Sequence, residues 1–263
     1  MFVILSKDYA ELSRQSAGIV SAAIRKRPDL RLGLATGSTP LGMYRELARM
    51  NREENLDFSR VITFNLDEYL GLAADHPQSS HAFMQTSFFG HANVAPENIH
   101  IPDGAASGDL DEYCARYEAS IQRAGGLDLQ ILGIGRNGHI GFNEPSSSLA
   151  SRTRIKTLTR QTLEDNLRLF PEGQSMPEAA ITMGIGTILD ARKILLLASG
   201  SSKARSLARA IEGPVTASVT ASALQLHRDV TILADEQAAA ELNEREYYRR
   251  DFEVDSRLRR AMK

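Results

Sequence analysis

The segment that decides the fold is Leu30-Arg31-Leu32-Gly33-Leu34-Ala35-Thr36-Gly37-Ser38-Thr39-Pro40, an apolar run that ends in a polar, glycine-containing loop. The run is nearly continuous in apolar residues, which is typical of a strand buried on both faces of a parallel sheet. Apolar residues then recur at helical spacing from Leu41 to Ala48. The segment therefore predicts a buried strand, a loop and a helix, the repeating unit of α/β proteins.

The same alternation of short apolar runs and amphipathic stretches continues along most of the chain. The other predicted strands are Phe2–Leu5, Val61–Leu66, Leu127–Leu132, Thr153–Leu158, Ile181–Met183, Ile194–Ala198 and Val230–Leu233. This order predicts a Rossmann-like α/β fold, an open and mostly parallel sheet with helices on both faces. No linker-like segment divides the chain, so we expect one domain over residues 1–263, with a charged helical tail over about residues 241–263.

Composition excludes several classes of protein. The 263 residues carry 31 Lys and Arg against 33 Asp and Glu, a net charge of −2, so there is no basic excess to bind nucleic acid. No apolar run approaches the length that spans a membrane, and the first residues do not resemble a signal peptide. Cys114 has no second cysteine to pair with. We therefore expect a cytoplasmic protein with no nucleic-acid or membrane partner.

Two loops have the character of anion sites. In an open parallel sheet, ligands bind beyond the carboxyl ends of the strands. Gly37, Ser38 and Thr39 follow one predicted strand, and Thr39 with Pro40 predicts the N-cap and first residue of a helix. The free amides of a first helical turn favour an anion. An ordinary capped turn would have the same sequence.

The second loop is Gly200-Ser201-Ser202-Lys203, between a predicted strand and a helix. A lysine in the first turn of a helix lies at the positive end of the helix dipole, and a bound anion would offset that cost. A solvated Lys203 is the alternative interpretation. Arg168 is a candidate third partner because a guanidinium binds phosphate in a bidentate manner. Together these residues predict a phosphorylated small molecule as ligand.

Asp67 and Glu68 directly follow the buried strand Val61–Leu66. One of these carboxylates can point into a cleft at the sheet edge, where partial burial would raise its pKa and make it a general base. The alternative is that both are solvated loop residues.

The densest cluster of unusual residues runs from Gly133 to Pro145. Its glycines match the dinucleotide pattern G-x-G-x-x-G. However, no helix follows the loop and the next strand does not end in an Asp or Glu that could bind a ribose, so we reject a dinucleotide site. His139, with Asn137 before it and Glu144 after it, is a candidate acid–base group. A metal held by His139, Glu144, Asp67 and Glu68 fits no familiar ligand spacing.

These motifs resemble the glucosamine-6-phosphate deaminase family, also called glucosamine-6-phosphate isomerases. The resemblance runs from about residue 1 to residue 242 and is carried by Leu34–Leu41, Phe64–Tyr69, Gly133–Pro145, Ser151–Leu158, Thr182–Leu189, Gly200–Ala204 and Leu224–His227. It implies an isomerising deamination, in effect a hydrolase acting on a C–N bond, in which glucosamine 6-phosphate and water give fructose 6-phosphate and ammonia. It implies no metal and no cofactor.

The resemblance also implies roles for individual residues. His139 would open the sugar ring, with Asn137 and Glu144 orienting it, and Asp67 would move a proton between C2 and C1. The substrate's phosphate would be held by residues of both loops and by one arginine: Gly37, Ser38, Thr39, Arg168 and Lys203. Many relatives have aspartate where this chain has Asn137, and a neutral amide can orient His139 without lending it charge.

Some relatives are hexamers activated by N-acetylglucosamine 6-phosphate, so the resemblance also allows a homo-oligomer. Arg154, Lys156 and Thr157 match part of that effector site, whereas a tyrosine from the C-terminal region has no counterpart in register. Two alternatives remain. One is a hydrolase similar to 6-phosphogluconolactonase, and the other is a sugar-phosphate sensor without catalysis.

Overall fold

The computed structural model describes residues 1–167, 170 and 175–261, and the side chains of 1–167, 170 and 175–256. Its strands are β1 (Phe2–Ser6), β2 (Arg31–Leu34), β3 (Ile62–Asn65), β4 (Asp67–Tyr69), β5 (Ile99–His100), β6 (Leu129–Gly133), β7 (Arg154–Thr157), β8 (Ala179–Thr182), β9 (Ile194–Ala198) and β10 (Val230–Asp235). Its helices are α1 (Tyr9–Lys26), α2 (Leu41–Glu54), α3 (Ser80–Ser87), α4 (Leu110–Arg123), α5 (Arg160–Leu167), α6 (Ile185–Leu189), α7 (Ala204–Ile211) and α8 (Arg245–Ala261). Four short 3₁₀ helices complete the described elements: Phe89–His91, Pro96–Asn98, Ser201–Lys203 and Thr220–Leu226.

Seven strands form the main sheet in the order β1-β10-β9-β6-β2-β3-β5, and every neighbouring pair is parallel. The predicted Rossmann-like, mostly parallel sheet is therefore confirmed. From β2 the chain proceeds to β3 and β5 on one side, whereas from β6 it proceeds to β9 and β10 on the other. This reversal is a topological switch point, where an open parallel sheet leaves a crevice at its carboxyl edge.

Helices cover both faces of the main sheet. Alternate residues of β9 point to opposite sides, so Leu195 and Leu197 pack in the core that contains α1 and α2. Leu196 packs in the other core, with residues of α4 and α7. All five residues of β9 are buried, as its continuous apolar run predicts.

A second, antiparallel sheet of three strands lies beside the first, in the order β4-β8-β7. Two predicted strands, Thr153–Leu158 and Ile181–Met183, correspond to β7 and β8 and belong here rather than to the main sheet. The alternative that Asp67 and Glu68 are solvated loop residues is wrong, because both are buried and begin β4, in which Asp67 pairs with Thr182. The correction follows from pairing between distant segments, which a three-residue strand does not reveal in its own sequence.

The charged tail forms α8, which begins at Arg245 and packs against the edge strand β1. The rings of Phe2 and Phe252 are 6.2 Å apart, and the hydroxyl of Tyr248 donates to Glu212 Oε1 at 3.2 Å. One face of this helix therefore covers the sheet edge instead of standing in solvent. Over the described ranges, no helix combines the length and apolarity needed to cross a membrane.

Candidate active site

The first predicted anion loop lies between β2 and α2, at the switch point. Gly37 has a φ of +104°, a left-handed conformation that favours glycine. The predicted N-cap at Thr39 is wrong by one residue, because α2 begins at Leu41 and Pro40 occupies the cap without a side-chain hydrogen bond. The hydroxyl of Tyr9 takes over part of that role, since it accepts from Gly42 N at 2.8 Å. The hydroxyl group of Thr39 is therefore not used as the cap.

The second loop follows β9, as predicted. Ser201–Lys203 form a 3₁₀ turn, and α7 continues from Ala204. Ser199, Ser202 and Lys203 face the same cavity as Thr36–Leu41. The two loops, far apart in sequence, therefore approach each other at the carboxyl edge of the main sheet.

This cavity has a volume of about 580 Å³, within the usual range for a small-molecule site. Its walls include both anion loops, the predicted base Asp67 and the predicted acid–base residue His139. Thus six predicted residues line one cavity: Gly37, Ser38, Thr39, Asp67, His139 and Lys203. Asn137 and Glu144 lie behind His139. The sequence also predicts a loop over residues 170–177, a candidate lid. Its residues 171–174 lie outside the described residues, as does Arg168.

Asp67 is 6% exposed, and its carboxylate receives no hydrogen bond from any residue that the structure describes. Burial, together with the neighbouring charge of Glu68, raises its pKa from 3.8 to about 7. The expectation of a raised pKa for one of the two carboxylates is therefore consistent with the geometry. A carboxyl group that titrates near neutral pH can both accept and return a proton.

Glu68 has a different role from its neighbour. Its buried carboxylate accepts hydrogen bonds from Tyr69 N at 2.8 Å, Ser80 N at 2.9 Å and His81 N at 3.2 Å. The ring Nδ1 of His81 is also 3.2 Å from Glu68 Oε2. Glu68 therefore caps the first turn of α3 and attaches that helix to β4.

His139 is held by a tight turn of the glycine-rich loop. Gly135 N donates to His139 O at 2.9 Å, and the imidazole lies over Gly135, where an added Cβ would come within 2.3 Å of the ring. Gly138 has a φ of +87°, a conformation that favours glycine and that lets the chain reverse direction in this turn. These two glycines explain the local sequence without a dinucleotide site.

Glu144 and Asn137 form a small network behind His139. His139 Nδ1 is 3.4 Å from Glu144 Oε2, an ion-pair distance at which the two atoms are not aligned for a hydrogen bond. Asn137 Nδ2 donates to the same oxygen at 2.8 Å, and Asn137 Oδ1 accepts from His139 N at 3.1 Å. Asn137 therefore orients Glu144 and the backbone of His139, rather than the imidazole itself.

The carboxylate of Glu144 is 1% exposed, and burial on its own would raise its pKa. Hydrogen bonds and the charge of His139 outweigh burial and lower the pKa to about 2. Glu144 is thus a fixed negative charge beside His139, whereas Asp67 titrates near neutral pH. Two carboxyl groups near one cavity therefore have opposite pKa shifts, which is the pattern expected of separate roles in catalysis.

The residues matched to an effector site, Arg154, Lys156 and Thr157, lie on β7 and are not among those that line the cavity. Arg154 Nη1 donates to Asn143 Oδ1 at 2.9 Å, so this side chain contacts the loop that carries His139. Effector binding at these residues stays a prediction.

Sequence reasoning missed an aromatic wall of the cavity. The rings of Tyr69 and Phe142 are 5.2 Å apart, and those of Tyr69 and Phe170 are 5.9 Å apart. Tyr69 and Phe142 belong to motifs already singled out, so a search for aromatic residues beside the catalytic candidates could have found them. Among the described residues, no group of three or more His, Cys, Asp or Glu side chains is placed to hold a metal ion.

The switch point, the two loops, Asp67 and His139 define a Rossmann-like α/β protein with a small-molecule-sized cavity at the carboxyl edge of its sheet. The chain belongs to the glucosamine-6-phosphate isomerase/6-phosphogluconolactonase family, whose model matches residues 7–233.

Individual relatives extend this similarity over nearly the whole chain. A glucosamine-6-phosphate deaminase of Thermoanaerobacter sp. (strain X514) is 53% identical over 240 residues, which is 91% of this chain and 94% of the relative. One from Shewanella loihica is 51% identical over 261 residues, which is 99% of this chain and 97% of the relative. The solved structure of a monomeric glucosamine-6-phosphate deaminase has a TM-score of 0.89 and 49% identity, and covers 92% of this chain and 100% of that one.

Proposed function

We propose that this chain converts glucosamine 6-phosphate and water into fructose 6-phosphate and ammonia. The observation that carries the proposal is the buried carboxylate of Asp67, with its pKa raised to about 7, in one cavity with His139 and two anion loops. Relatives that are 53% and 51% identical to this chain are named glucosamine-6-phosphate deaminases, which supports this choice within the family.

The phosphate of the substrate binds between the two loops. Gly37, Ser38 and Thr39 supply amides and hydroxyls, and Lys203 supplies a positive charge. Arg168 is proposed as a further phosphate ligand from the family resemblance alone. Binding at this end of the sugar fixes C1 and C2 against Asp67 and His139, so that the chemical steps become effectively intramolecular.

The first chemical step is opening of the pyranose ring. His139 removes the proton from O1, the C1–O5 bond breaks, and His139 gives that proton to O5, so the imidazole ends the step as it began. Because Nδ1 of this residue faces Glu144, its Nε2 is the nitrogen available to the sugar. The fixed charge of Glu144 lies beside the imidazole, and Asn137 keeps Glu144 in place.

The second step is isomerisation. The ionised carboxylate of Asp67 removes the proton from C2 of the open-chain aldehyde, and O1 takes a proton from a water molecule, which leaves hydroxide, to give an enolamine. Protonated Asp67 then returns the proton to C1, which leaves an iminium at C2. A base must be ionised and its conjugate acid must be able to donate, and a pKa of about 7 serves both needs at neutral pH.

The last step replaces nitrogen by oxygen at C2. The hydroxide left from that water adds to the iminium carbon, the proton of the new hydroxyl moves to the nitrogen, and the C–N bond breaks to release ammonia and leave the ketone. Water enters and ammonia leaves, so the net cleavage is hydrolytic, and no group beyond the chain's own residues and water is needed to balance it.

A coupled assay for ammonia and fructose 6-phosphate with the purified chain tests the proposal. Glucosamine 6-phosphate should give both products in equal amounts, and N-acetylglucosamine 6-phosphate should not be a substrate. Hydrolysis of 6-phosphogluconolactone without ammonia release would favour the lactonase alternative. Tight binding of the amino sugar without turnover would favour a sensor.

A further inference from the structure

The carboxylate of Asp235 occupies a place that the catalytic steps do not use. Asp235 is the last residue of β10, which runs parallel to β9 with Ala234 beside Ala198. The residue that follows Ala198 is Ser199, which directly precedes the second anion loop, Gly200–Lys203. Asp235 is 5% exposed and does not line the cavity.

Asp235 is hydrogen-bonded to Ser199 and to Gly200, the first residue of that loop. Its Oδ2 accepts from Ser199 Oγ at 2.5 Å, and both of its oxygens are 3.1 Å from Gly200 N. Its Oδ1 also accepts from Ala238 N at 2.8 Å. Hydrogen bonds to an ionised acceptor are shorter and stronger than those between neutral groups.

These bonds shape the part of the loop that faces the cavity. Gly200 has φ +87° and ψ 154°, a conformation open almost only to glycine, and its N–H points to Asp235. The turn then closes with Lys203 N donating to Gly200 O at 3.0 Å. Through this turn, a buried carboxylate on one strand fixes the position at which Ser202 and Lys203 enter the cavity wall.

We propose that Asp235 is a positioning residue for phosphate binding, which holds the Ser199–Lys203 loop in the shape that receives the anion. It does not touch the substrate, and its carboxylate accepts hydrogen bonds from the Ser199 hydroxyl and from the backbone amides of Gly200 and Ala238. The inference rests on the proposed function only for the identity of the ligand, since the affinity for inorganic phosphate alone should depend on the shape of the loop.

The test compares the full chain with D235N and with E236Q. Glu236 is the next residue, pairs with Arg249 at 2.6 Å and takes no part in the loop, so E236Q controls for the loss of one carboxylate. The measurements are the dissociation constant of inorganic phosphate by calorimetry, and KM and kcat for glucosamine 6-phosphate. Circular dichroism checks that each variant is folded.

For D235N we expect the phosphate dissociation constant and KM to rise together by about tenfold, with kcat changed by no more than about threefold. E236Q should match the parent chain. Unchanged phosphate binding in D235N, or a fall in kcat with no rise in KM, would overturn the inference, because an ordinary structural role would not act on phosphate selectively.

If D235N does not fold, S199A removes a single hydrogen bond from the same network, and we expect about a threefold rise in both constants. No change in S199A would then count against the inference. Calorimetry with phosphate also separates the two proposals. If the parent chain releases no ammonia but binds phosphate, and D235N weakens that binding, the proposed reaction fails while the role of Asp235 stands.

Discussion

Asp67 and Glu68 are consecutive residues of β4, and their carboxylates have opposite surroundings. Glu68 is completely buried and accepts hydrogen bonds from three backbone amides. Asp67 is buried in the cavity wall, where none of the described residues donates a hydrogen bond to it. Because side chains alternate along a strand, adjacent positions can serve two functions, here the attachment of α3 and the proposed transfer of protons.

The first prediction concerns the effect of Glu68 on its neighbour. In the parent chain, kcat/KM should rise with pH through about 7 as Asp67 ionises. E68Q removes a nearby negative charge, so the pKa of Asp67 should fall and the acidic limb of the pH profile should move to lower pH. Burial is the larger cause of the raised pKa, so the limb should stay above the ordinary value of 3.8. Glu246, exposed on α8 at the other edge of the main sheet, offers a control in E246Q. A limb that stays at its original pH in E68Q would contradict this electrostatic coupling.

The main sheet could be predicted from the sequence because the pattern that indicates each of its strands lies within that strand and the residues next to it. Strands such as β2 and β9 are apolar on both faces, and each is followed by a polar turn and a helix. The rule that ligands bind at the carboxyl edge then placed both anion loops in one cavity, which the structure bears out.

The second sheet and the division of roles between the two carboxylates depend on contacts between distant segments. β4 is only three residues long and pairs with β8, far along the chain. Glu68 is satisfied by amides of α3, so neither its burial nor its capping role can be read from the sequence around it. The same reason applies to Arg154, whose contact with Asn143 joins β7 to the loop of His139.

The second prediction joins activity and stability at Asp67. D67N should abolish turnover while glucosamine 6-phosphate still binds, because the amide cannot remove the proton from C2. The folded pKa of about 7 lies above the unfolded value of 3.8, so ionised Asp67 destabilises the fold. This penalty is complete above pH 7 and absent below about pH 4. D67N should therefore raise the free energy of unfolding by roughly 2–4 kcal/mol at pH 8, and the gain should vanish towards pH 4.

Urea denaturation at both pH values measures this difference, and Asp128 supplies a control of opposite sign. Burial alone would raise the pKa of Asp128, but hydrogen bonds and charges, chiefly from Arg31, lower it. D128N should therefore destabilise the protein at pH 8, and its cost should shrink as the pH falls through the folded pKa of Asp128. Equal stability of D67N and the parent chain at pH 8 would show that Asp67 is not held ionised in a dry site. Measurable turnover by D67N would exclude Asp67 as the base.

The third prediction separates ring opening from the later steps. H139Q keeps a polar side chain in the turn but cannot carry the proton that O5 requires. We expect kcat/KM for the closed sugar to fall by about a hundredfold or more, which is the usual contribution of a general acid or base. With an open-chain analogue of the substrate, the loss should be much smaller, because ring opening is no longer required. An equal loss with both substrates would assign His139 to a different step.

The last prediction tests the phosphate site through the charge of Lys203, which lies at the cavity end of β9. K203M keeps most of the apolar stem and removes the ammonium, so KM for glucosamine 6-phosphate should rise by about tenfold or more. The dependence of kcat/KM on salt should also become weaker, because a screened attraction between the enzyme and an anionic substrate has been lost. Lys193 lies directly before the same strand, at the opposite edge of the sheet, and is 3.3 Å from Asp229. K193M therefore removes an equal charge without touching the cavity and should leave both quantities unchanged. If the two variants behave alike, net charge rather than the loop attracts the substrate, and the proposed phosphate site is wrong.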